Sequence, residues 1–379
     1  MRHCHPGSSL SLLTKAGAAI AMIGALLVAG CAEIRPPGEG GAKGPSELLF
    51  PAPPDEPRFV FERTILSSAD VLEDSEDDQW RRALTGERRT GVFLAKPYGV
   101  AVNRGRLFVT DTASRDVKAF DLAEKKFFSI GEDEPGQLVK PIGLDTDDAG
   151  NLYVADASAK AIQIYDRDGH HLRTVGGHDL FDRLTSVTVS PDGNRLYVVD
   201  IGGVQSDNHR IRVFDSHTGA SIQDIGKRGR GPGEFNLPRD LAIGKDGRLY
   251  IVDGGNFRVQ IFDRDGKYLD SFGAAGRQLG NFSRPKEIAT DPDGNVYVVD
   301  TAFGNFQIFN PDGELLMFIG QRSEAPGPGR YMLPSGIAID LDGRIYFVDQ
   351  WFKKVDVYRP YGLAPTAGFA PVRAAKLEK

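Results

Sequence analysis

One short run of residues recurs six times and limits the folds open to this chain. Each copy is a mostly apolar stretch that ends in aspartate, and successive copies lie 44 to 53 residues apart. The six closing residues are Asp111, Asp156, Asp200, Asp253, Asp300 and Asp349. A period of this length is typical of repeat architectures, in which no single copy can bury its own apolar faces. We therefore expect the copies to pack against one another.

Each copy carries the signals of four short antiparallel strands. A second apolar run precedes the aspartate run, and turns such as Lys245-Asp246-Gly247 separate the two, as in tight hairpins. A third run ends in an aromatic residue, from Phe120 in the first copy to Tyr358 in the last, and a fourth run closes with glycine. Six such units predict an all-β, six-bladed β-propeller with blades over residues 93–361.

These units resemble NHL repeats across residues 93–361. The resemblance rests on the strand pattern, the hairpin glycines, the closing aspartate and a proline at the blade entrance. Those prolines are Pro97, Pro141, Pro238, Pro285 and Pro334. Blade 3 departs from the pattern, because Leu184 stands where proline is expected and the loop over 201–210 is longer. The repeated aspartates sit where strands enter turns, so we interpret them as structural acceptors for backbone amides.

The sixth unit has only three predicted strands, the last of which ends at Tyr358, so its fourth, outermost strand must come from elsewhere. A β-like run over 58–67 precedes the repeats, and we expect it to complete blade 6 and close the ring. Closure removes the exposed sheet edge that would invite pairing with another chain, so a monomeric propeller is predicted. The intervening 68–92 is predicted to be a loop with a short helix, which Ser75 and Gly86 would start and stop.

The N-terminus is predicted to be a targeting signal that is not part of the folded domain. Residues 1–30 combine basic residues with a short apolar stretch, and the sequence before Cys31 resembles a bacterial lipobox. The resemblance implies lipidation of Cys31 and anchoring in the bacterial cell envelope, with the outer membrane favoured. An ordinary secretory signal is the alternative. The Pro- and Gly-rich segment 31–57 is interpreted as a flexible tether, and 362–379 as a C-terminal tail.

Composition narrows the functions that are open to the chain. The formal net charge is −6, whereas a general nucleic-acid binder is expected to be basic, so no nucleic-acid partner is predicted. Two cysteines in 379 residues cannot form a disulfide scaffold or a zinc cluster. No histidine recurs at an innermost-strand position, so we expect no metal site and no cofactor. A divalent cation at the channel mouth is left as an unsupported possibility.

Candidate functional residues are sought where the repeats differ from one another. Most blades open their innermost strand with small or neutral residues, but blades 4 and 5 carry Arg239-Asp240 and Lys286-Glu287. Two acid–base pairs at an axial mouth are suited to a polar ligand, a cation or a charged partner loop. The alternative is that they form salt bridges with each other, worth about 0–1 kcal/mol for an exposed pair.

Aromatic residues outside the strand pattern mark a second candidate surface on the same face. They lie in the loops between the second and third strands of blades 4 to 6: Phe257, Phe303, Trp351 and Phe352. A nearby connector supplies Lys227, Arg228 and Arg230. Exposed aromatics next to arginines are typical anchors for protein partners. The alternative is that the rings pack against adjacent blades.

Two functions fit these patterns. The first is a membrane-anchored, non-catalytic binding module that presents its loop-rich face to an envelope protein or an extended ligand. The second is a propeller hydrolase or lyase with its site at the channel mouth, where Asp240 and Glu287 would bind a divalent ion or act as general acid and base. Because propellers host both uses, the fold cannot decide between them.

Overall fold

The computed structural model describes residues 47–87, 89–203 and 206–368, which belong to one compact unit that begins at Glu47. The predicted signal peptide and Cys31 lie outside the described residues. The described chain begins with β1 (Leu49–Phe50) and β2 (Phe59–Ile65), followed by a 3-10 helix (Ser68–Asp70) and α1 (Glu76–Thr85). In this part of the chain, no helix is long and apolar enough to cross a bilayer.

The first three blades follow in order along the chain. Blade 1 consists of β3 (Pro97–Asn103), β4 (Arg106–Asp111), β5 (Asp116–Asp121) and β6 (Lys126–Ile130). Blade 2 consists of β7 (Pro141–Thr146), β8 (Leu152–Asp156), β9 (Ala161–Tyr165) and β10 (His171–Gly176). Blade 3 consists of β11 (Leu184–Val189), β12 (Arg195–Ile201), β13 (His209–Asp215) and β14 (Ser221–Ile225).

The last three blades complete the ring, with two short parallel pairs in the connections. The first pair is β15 (Lys227–Arg228) and β16 (Glu234–Phe235). Blade 4 consists of β17 (Pro238–Ile243), β18 (Leu249–Asp253), a 3-10 turn (Gly254–Asn256), β19 (Arg258–Phe262) and β20 (Tyr268–Phe272). Blade 5 consists of β21 (Pro285–Thr290), β22 (Val296–Asp300), β23 (Asn305–Phe309) and β24 (Leu315–Ile319). The second pair, β25 (Gln321–Arg322) and β26 (Arg330–Tyr331), precedes β27 (Pro334–Ile339), β28 (Ile345–Asp349) and β29 (Lys354–Pro360) of blade 6.

Blade 6 is completed by the N-terminal strand, which confirms the predicted closure. Its sheet has the order β1-β2-β29-β28-β27, and β2 pairs antiparallel with β29 over six residue pairs, from Phe59 opposite Pro360 to Ile65 opposite Val355. The Thr64 hydroxyl also donates to the buried carboxylate of Asp356, 2.7 Å away. The prediction did not foresee β1: Leu49 and Phe50, which we had assigned to the tether, form an outer fifth strand.

The segment between the closing strand and blade 1 contains the short helix that its end signals indicated. The Ser75 hydroxyl accepts a hydrogen bond from the Asp78 amide at 3.1 Å, and Gly86 ends α1 in the left-handed conformation at φ 68°. These are standard ways to satisfy the free amides and carbonyls at helix ends. The helix stays short because its cap signals lie close together.

The apolar core lies in the seams between neighbouring blades. In the described part of the chain, each of six apolar clusters joins two consecutive blades. In the seam of blades 3 and 4, for example, Tyr197 and Val199 pack with Leu241 and Ile251. Because each blade is covered on both sides, its middle strands are buried along most of their length; the second strands are mainly apolar, whereas the third strands also carry buried polar residues such as Lys118, Gln260 and Gln307. No blade has a separate core, so the ring is stabilised as a whole.

The closing aspartates hold the entrance of each blade. Asp300 accepts hydrogen bonds from four backbone amides, those of Ser283, Arg284, Ala302 and Phe303, at 2.7 to 3.2 Å. One pair of amides precedes the innermost strand, and the other lies in the loop after the aspartate. The carboxylate therefore ties two loops together and satisfies backbone donors that would otherwise be costly to bury.

The same arrangement recurs around the ring. Equivalent bonds from the residues before the innermost strand are made to Asp111, Asp156, Asp200, Asp253 and Asp349. Burial disfavours the anion of Asp111, but hydrogen bonds from four backbone amides outweigh it and lower its pKa. In blade 3, Leu184 takes the place of the entrance proline and still lies opposite Asp200 in the ladder, so the departure in sequence leaves four strands intact.

We predict that Asp300→Ala lowers the free energy of unfolding by about 3 kcal/mol, because it leaves several backbone amides without an acceptor. Urea unfolding followed by circular dichroism measures the change. Asp293→Ala is the matched control, because Asp293 is an exposed turn residue of the same blade and should shift the value by no more than about 0.5 kcal/mol. Equal effects of the two substitutions would contradict the structural role of the closing aspartates.

Candidate functional site

One end of the propeller carries most of the variable loops. In each blade the innermost strand starts at this end, the second strand returns to it, and the connection to the next blade crosses it. We call this end the loop face, and the opposite end, which carries the Asp-Gly turns, the hairpin face. The six innermost strands surround an axial channel with a volume of about 270 Å³. The mouth of this channel on the loop face is the place where we expected the two acid–base pairs.

A β-bulge at the start of the innermost strand shapes the mouth. The entrance residue lies opposite the closing aspartate, and the register then shifts; in blade 4, Pro238 pairs with Asp253 but Leu241 pairs with Ile251. The same shift occurs in all six blades. Bulges re-aim side chains at the rims of closed sheets. The residues within the bulge are Arg239-Asp240 in blade 4 and Lys286-Glu287 in blade 5.

The two acids are buried where the innermost strands of neighbouring blades meet, and both line the axial channel. Asp240 Oδ1 accepts a hydrogen bond from the Ser186 hydroxyl of blade 3 at 2.6 Å, and Oδ2 accepts one from the Ile288 amide of blade 5 at 3.0 Å. One buried carboxylate thus links three blades. In blades 1, 2 and 6 the equivalent residue is glycine; a Cβ at Gly143 would lie 2.4 Å from the Ser186 hydroxyl oxygen. Side-chain size at this position is therefore set by the next blade.

Burial shifts the protonation of both acids. It raises the pKa of Asp240 to about 6, although hydrogen bonds from Ser186 and Ile288 oppose the shift. Burial also raises the pKa of Glu287 well above its ordinary value, and the neighbouring charge of Asp240 adds to that effect. Burial therefore favours the neutral form of both acids, and the two negative charges disfavour ionisation of Glu287 next to Asp240.

The two bases turn the other way, toward the mouth. Arg239 is exposed, and the ammonium nitrogen of Lys286 lies 4.0 Å from the centre of the Tyr98 ring in blade 1. Because blade 6 stands between blades 5 and 1, Lys286 spans part of the mouth. Among the described residues, neither Arg239 nor Lys286 forms an ion pair. The expected acid–base pairs are thus divided: the acids are buried between the innermost strands, whereas the bases lie toward the mouth, with Arg239 exposed and Lys286 half-buried.

Tyr98 is a mouth residue that the sequence analysis missed. Burial raises its pKa to about 12, and the charges of Glu287 and Asp240 add to the effect while Arg239 opposes it. Its ring also packs against the apolar cluster of blades 2 and 3. Its position in the repeat could have identified it, because Tyr98 directly follows the entrance proline, as Arg239 and Lys286 do. We had grouped it with the small or neutral residues.

The far end of the channel has the opposite electrostatic character. Asp145, in the innermost strand of blade 2, is half-buried and accepts hydrogen bonds from the Thr146 and Val189 amides at 2.8 and 3.0 Å. Burial raises its pKa to about 7. In the described residues, no group of three or more His, Cys, Asp or Glu side chains is placed to hold a metal ion.

The aromatic residues do not all share one environment. The structure leaves Trp351 61% exposed, with Phe352 half-buried beside it. Phe303 is also half-buried, whereas Phe257, in a left-handed conformation at φ 58°, packs against the core cluster of blades 4 and 5. For Phe257 the packing alternative therefore holds, and Trp351 is the ring most available to a partner.

The connector between blades 3 and 4 presents its basic residues to solvent. Lys227, Arg228 and Arg230 are exposed, and Lys227 lies 3.6 Å from Glu234. The Glu234 carboxylate accepts hydrogen bonds from the amides of Arg230 and Gly231, which holds the glycine-rich turn in place. These bases therefore project from an ordered loop on the loop face.

Comparisons with known proteins agree with this architecture. The family model of the NHL repeat matches residues 235–262. NHL repeat-containing protein 3 of Homo sapiens is 32% identical over 90 residues, and protein brain tumor of Drosophila melanogaster is 28% identical over 149. These alignments cover 24% and 38% of this chain, but only 25% and 13% of the relatives.

Solved structures of low sequence identity share the fold. A protein of unknown function from Bacteroides thetaiotaomicron superposes with a TM-score of 0.58 at 18% identity, over 80% of this chain and 76% of that one. A gluconolactonase from Xanthomonas campestris gives 0.52 at 17% identity, over 70% and 86%. The architecture and these likenesses define the class as a β-propeller. The chain is, more specifically, a six-bladed propeller, and its residues 235–262 match the NHL repeat.

We predict that Asp240→Asn stabilises the protein increasingly as the pH rises. The raised pKa of Asp240 means that the folded state binds this proton more tightly than the unfolded state, so its contribution to stability is lost between about pH 4 and 7. The stability of Asp240→Asn minus that of the wild type should rise by up to about 3 kcal/mol over that range. Urea unfolding at pH 4, 5.5 and 7 measures it. Asp293→Asn, exposed in the next blade, should show a flat difference; a flat difference for Asp240→Asn would contradict the prediction.

Proposed function

We propose that this protein is a lipid-anchored NHL propeller of the bacterial cell envelope that acts as a non-catalytic binding module. In this proposal Cys31 carries the lipid, the outer membrane is the favoured location, and the loop face engages an envelope protein or an extended ligand. The anchor is supported by the lipobox-like sequence before Cys31, and the binding role by the surface of the loop face.

The observation that carries the binding role is the exposure of Trp351. A tryptophan that is 61% exposed contributes little to the core, yet large aromatic rings are among the most frequent anchors of protein interfaces. Phe352 lies beside it, and Arg228 and Arg230 are exposed on the same face. Exposed aromatic residues and exposed arginines on one face have the composition of a protein-binding surface.

The loop that carries Trp351 is held in one conformation. The carboxylate of Asp349 accepts a hydrogen bond from the Phe352 amide at 2.8 Å, and Lys353 takes the left-handed conformation at φ 53° before β29 begins. A loop that is already ordered loses little conformational entropy when a partner binds. The same closing aspartate that stabilises blade 6 therefore also presents Trp351.

The enzyme alternative is less well supported by the geometry. It needs Asp240 and Glu287 to face a substrate or ion at the mouth. Both acids line the axial channel, but Asp240 is engaged by Ser186 and Ile288, and Glu287 is buried beside the Ile337 amide. The groups that do face the mouth are cationic. The binding module is therefore the function that the geometry favours.

We expect Trp351→Ala/Phe352→Ala to lose the partners that wild-type protein captures after crosslinking in intact cells, by roughly tenfold or more if Trp351 is a hot spot. The readout is quantitative mass spectrometry of the affinity-captured material. Tyr361→Ala is the matched control, because Tyr361 is 54% exposed in the same blade but follows β29 on the hairpin face. Unchanged capture by the double variant, or equal loss with Tyr361→Ala, would rule out this surface.

The anchor has its own test. We expect Cys31→Ser to move the protein from the membrane fraction to the soluble envelope fraction and to abolish incorporation of labelled palmitate, because the thiol is the acceptor for lipid. Cys4→Ser is the control, since Cys4 lies within the predicted signal peptide and its loss should change neither readout. Labelled, membrane-bound Cys31→Ser protein would refute lipidation at this residue.

A further inference from the structure

Cationic side chains gather around the channel mouth on the loop face. In four of six blades, the residue just before the entrance position is basic and exposed: Lys96, Lys140, Arg183 and Arg284. The bulges of blades 4 and 5 add Arg239 and Lys286. Six bases thus surround one opening in a chain whose formal net charge is −6. The four residues before the entrances are not among the site residues predicted from the sequence.

The repeat itself places these residues at the rim. The backbone amides of Lys96, Lys140, Arg183 and Arg284 donate to the closing aspartates of their own blades, at 2.9 to 3.1 Å for the shortest contact of each. With the backbone engaged, each side chain is left free to reach toward solvent from a defined point. These four positions are therefore structurally equivalent. Because only their backbone amides bind the closing aspartates, the fold does not require a basic side chain at any of them.

The charged side chains at the mouth are mostly cationic, although the buried acids Asp240 and Glu287 lie next to Arg239 and Lys286. In the part of the chain that the structure describes, none of these six bases forms an ion pair. Burial lowers the pKa of Arg239, and the positive charges of Arg183 and Arg284 lower it further. Burial likewise lowers the pKa of Lys286 to about 8, although Glu287 opposes the shift. The mouth thus concentrates cations that repel one another.

We propose that the channel mouth is a binding site for an anionic group, a carboxylate or a phosphate, held by Arg239 and Lys286 with Arg183 and Arg284 around them. The proposal deepens the proposed function and rests on it, because it names the chemistry that the loop face recognises. The anion belongs to a small ligand or to the end of a longer one.

The side chains present suit such a group. A guanidinium offers two parallel donors to a carboxylate or phosphate, and Lys286 adds a point charge from the neighbouring blade. Lys286 rests over the Tyr98 ring, an aromatic contact that partly replaces a missing counter-ion. An anion that enters the mouth relieves the repulsion between the bases. A divalent cation would meet that repulsion instead.

Isothermal titration calorimetry tests the site with two probes, citrate and pyrophosphate, at a constant ionic strength of about 0.1 M because screening weakens such contacts. We expect wild-type protein to bind at least one probe with a submillimolar dissociation constant. Arg239→Gln/Lys286→Gln should weaken binding roughly tenfold or more. The probe that binds more tightly distinguishes a carboxylate from a phosphate source.

The matched control removes two bases elsewhere. Arg264→Gln/Lys267→Gln lies in an exposed turn on the hairpin face of blade 4, changes the net charge equally and should leave binding unchanged. If the mouth variant does not fold by circular dichroism, Arg183→Gln/Arg284→Gln takes its place, with an expected loss of at least threefold. Absence of binding by the wild type, or equal binding by wild type and mouth variant, overturns the proposal.

The titration and the capture experiment can contradict their two proposals independently of each other. A Trp351→Ala/Phe352→Ala protein that loses its partners but binds citrate or pyrophosphate as the wild type does supports both proposals. Wild-type protein that captures partners through Trp351 but binds neither probe overturns the anion site alone. Protein that binds a probe but captures partners independently of Trp351 and Phe352 overturns the aromatic surface alone.

Discussion

The bond between the closing aspartate and the backbone amides at the blade entrance is the interaction on which this propeller depends. It repeats in every blade, and it joins the end of the second strand to the start of the innermost one. The carboxylate thereby fixes the point where each blade meets the axis. The entrance residue pairs with this aspartate, the bulge follows, and the bulge decides which side chains reach the mouth. The hydrogen bonds of the closing aspartates therefore determine both the blade geometry and the residues at the candidate site.

The seams add a second level of organisation. Apolar residues from consecutive blades bury one another, so the free energy of folding is distributed over contacts that no isolated blade could make. Buried polar groups between the blades can also link them, as Asp240 does through Ser186 and Ile288. Such a fully engaged buried carboxylate specifies which blades are neighbours, since its partners come from both sides. The bases next to it in sequence are excluded from the seam by their length and charge, and they remain at the surface.

The fold was predictable because a periodic signal was present six times, and closure followed from counting strands. The site was predictable only in part. Arg239, Asp240, Lys286 and Glu287 all lie at the start of the innermost strands of blades 4 and 5, but the two acids are buried, because neighbouring residues in a bulge point in directions that no strand alternation describes. Tyr98 was missed because one aromatic residue in one blade is not a pattern. The packing of Phe257 depends on a left-handed turn, and the pairing of Leu49 and Phe50 was hidden by the prolines around them.

The position of β1 and β2 has a mechanical consequence. The chain enters the ring through the outer edge of blade 6, where two residue pairs hold β1 to β2 and six hold β2 to β29. A force applied on the N-terminal side would first separate β1 from β2, because few residue pairs join these strands. Only then would the force act on the longer β2–β29 ladder. Under tension, β1 would therefore detach first, while β2 stays paired with β29 and the ring stays closed.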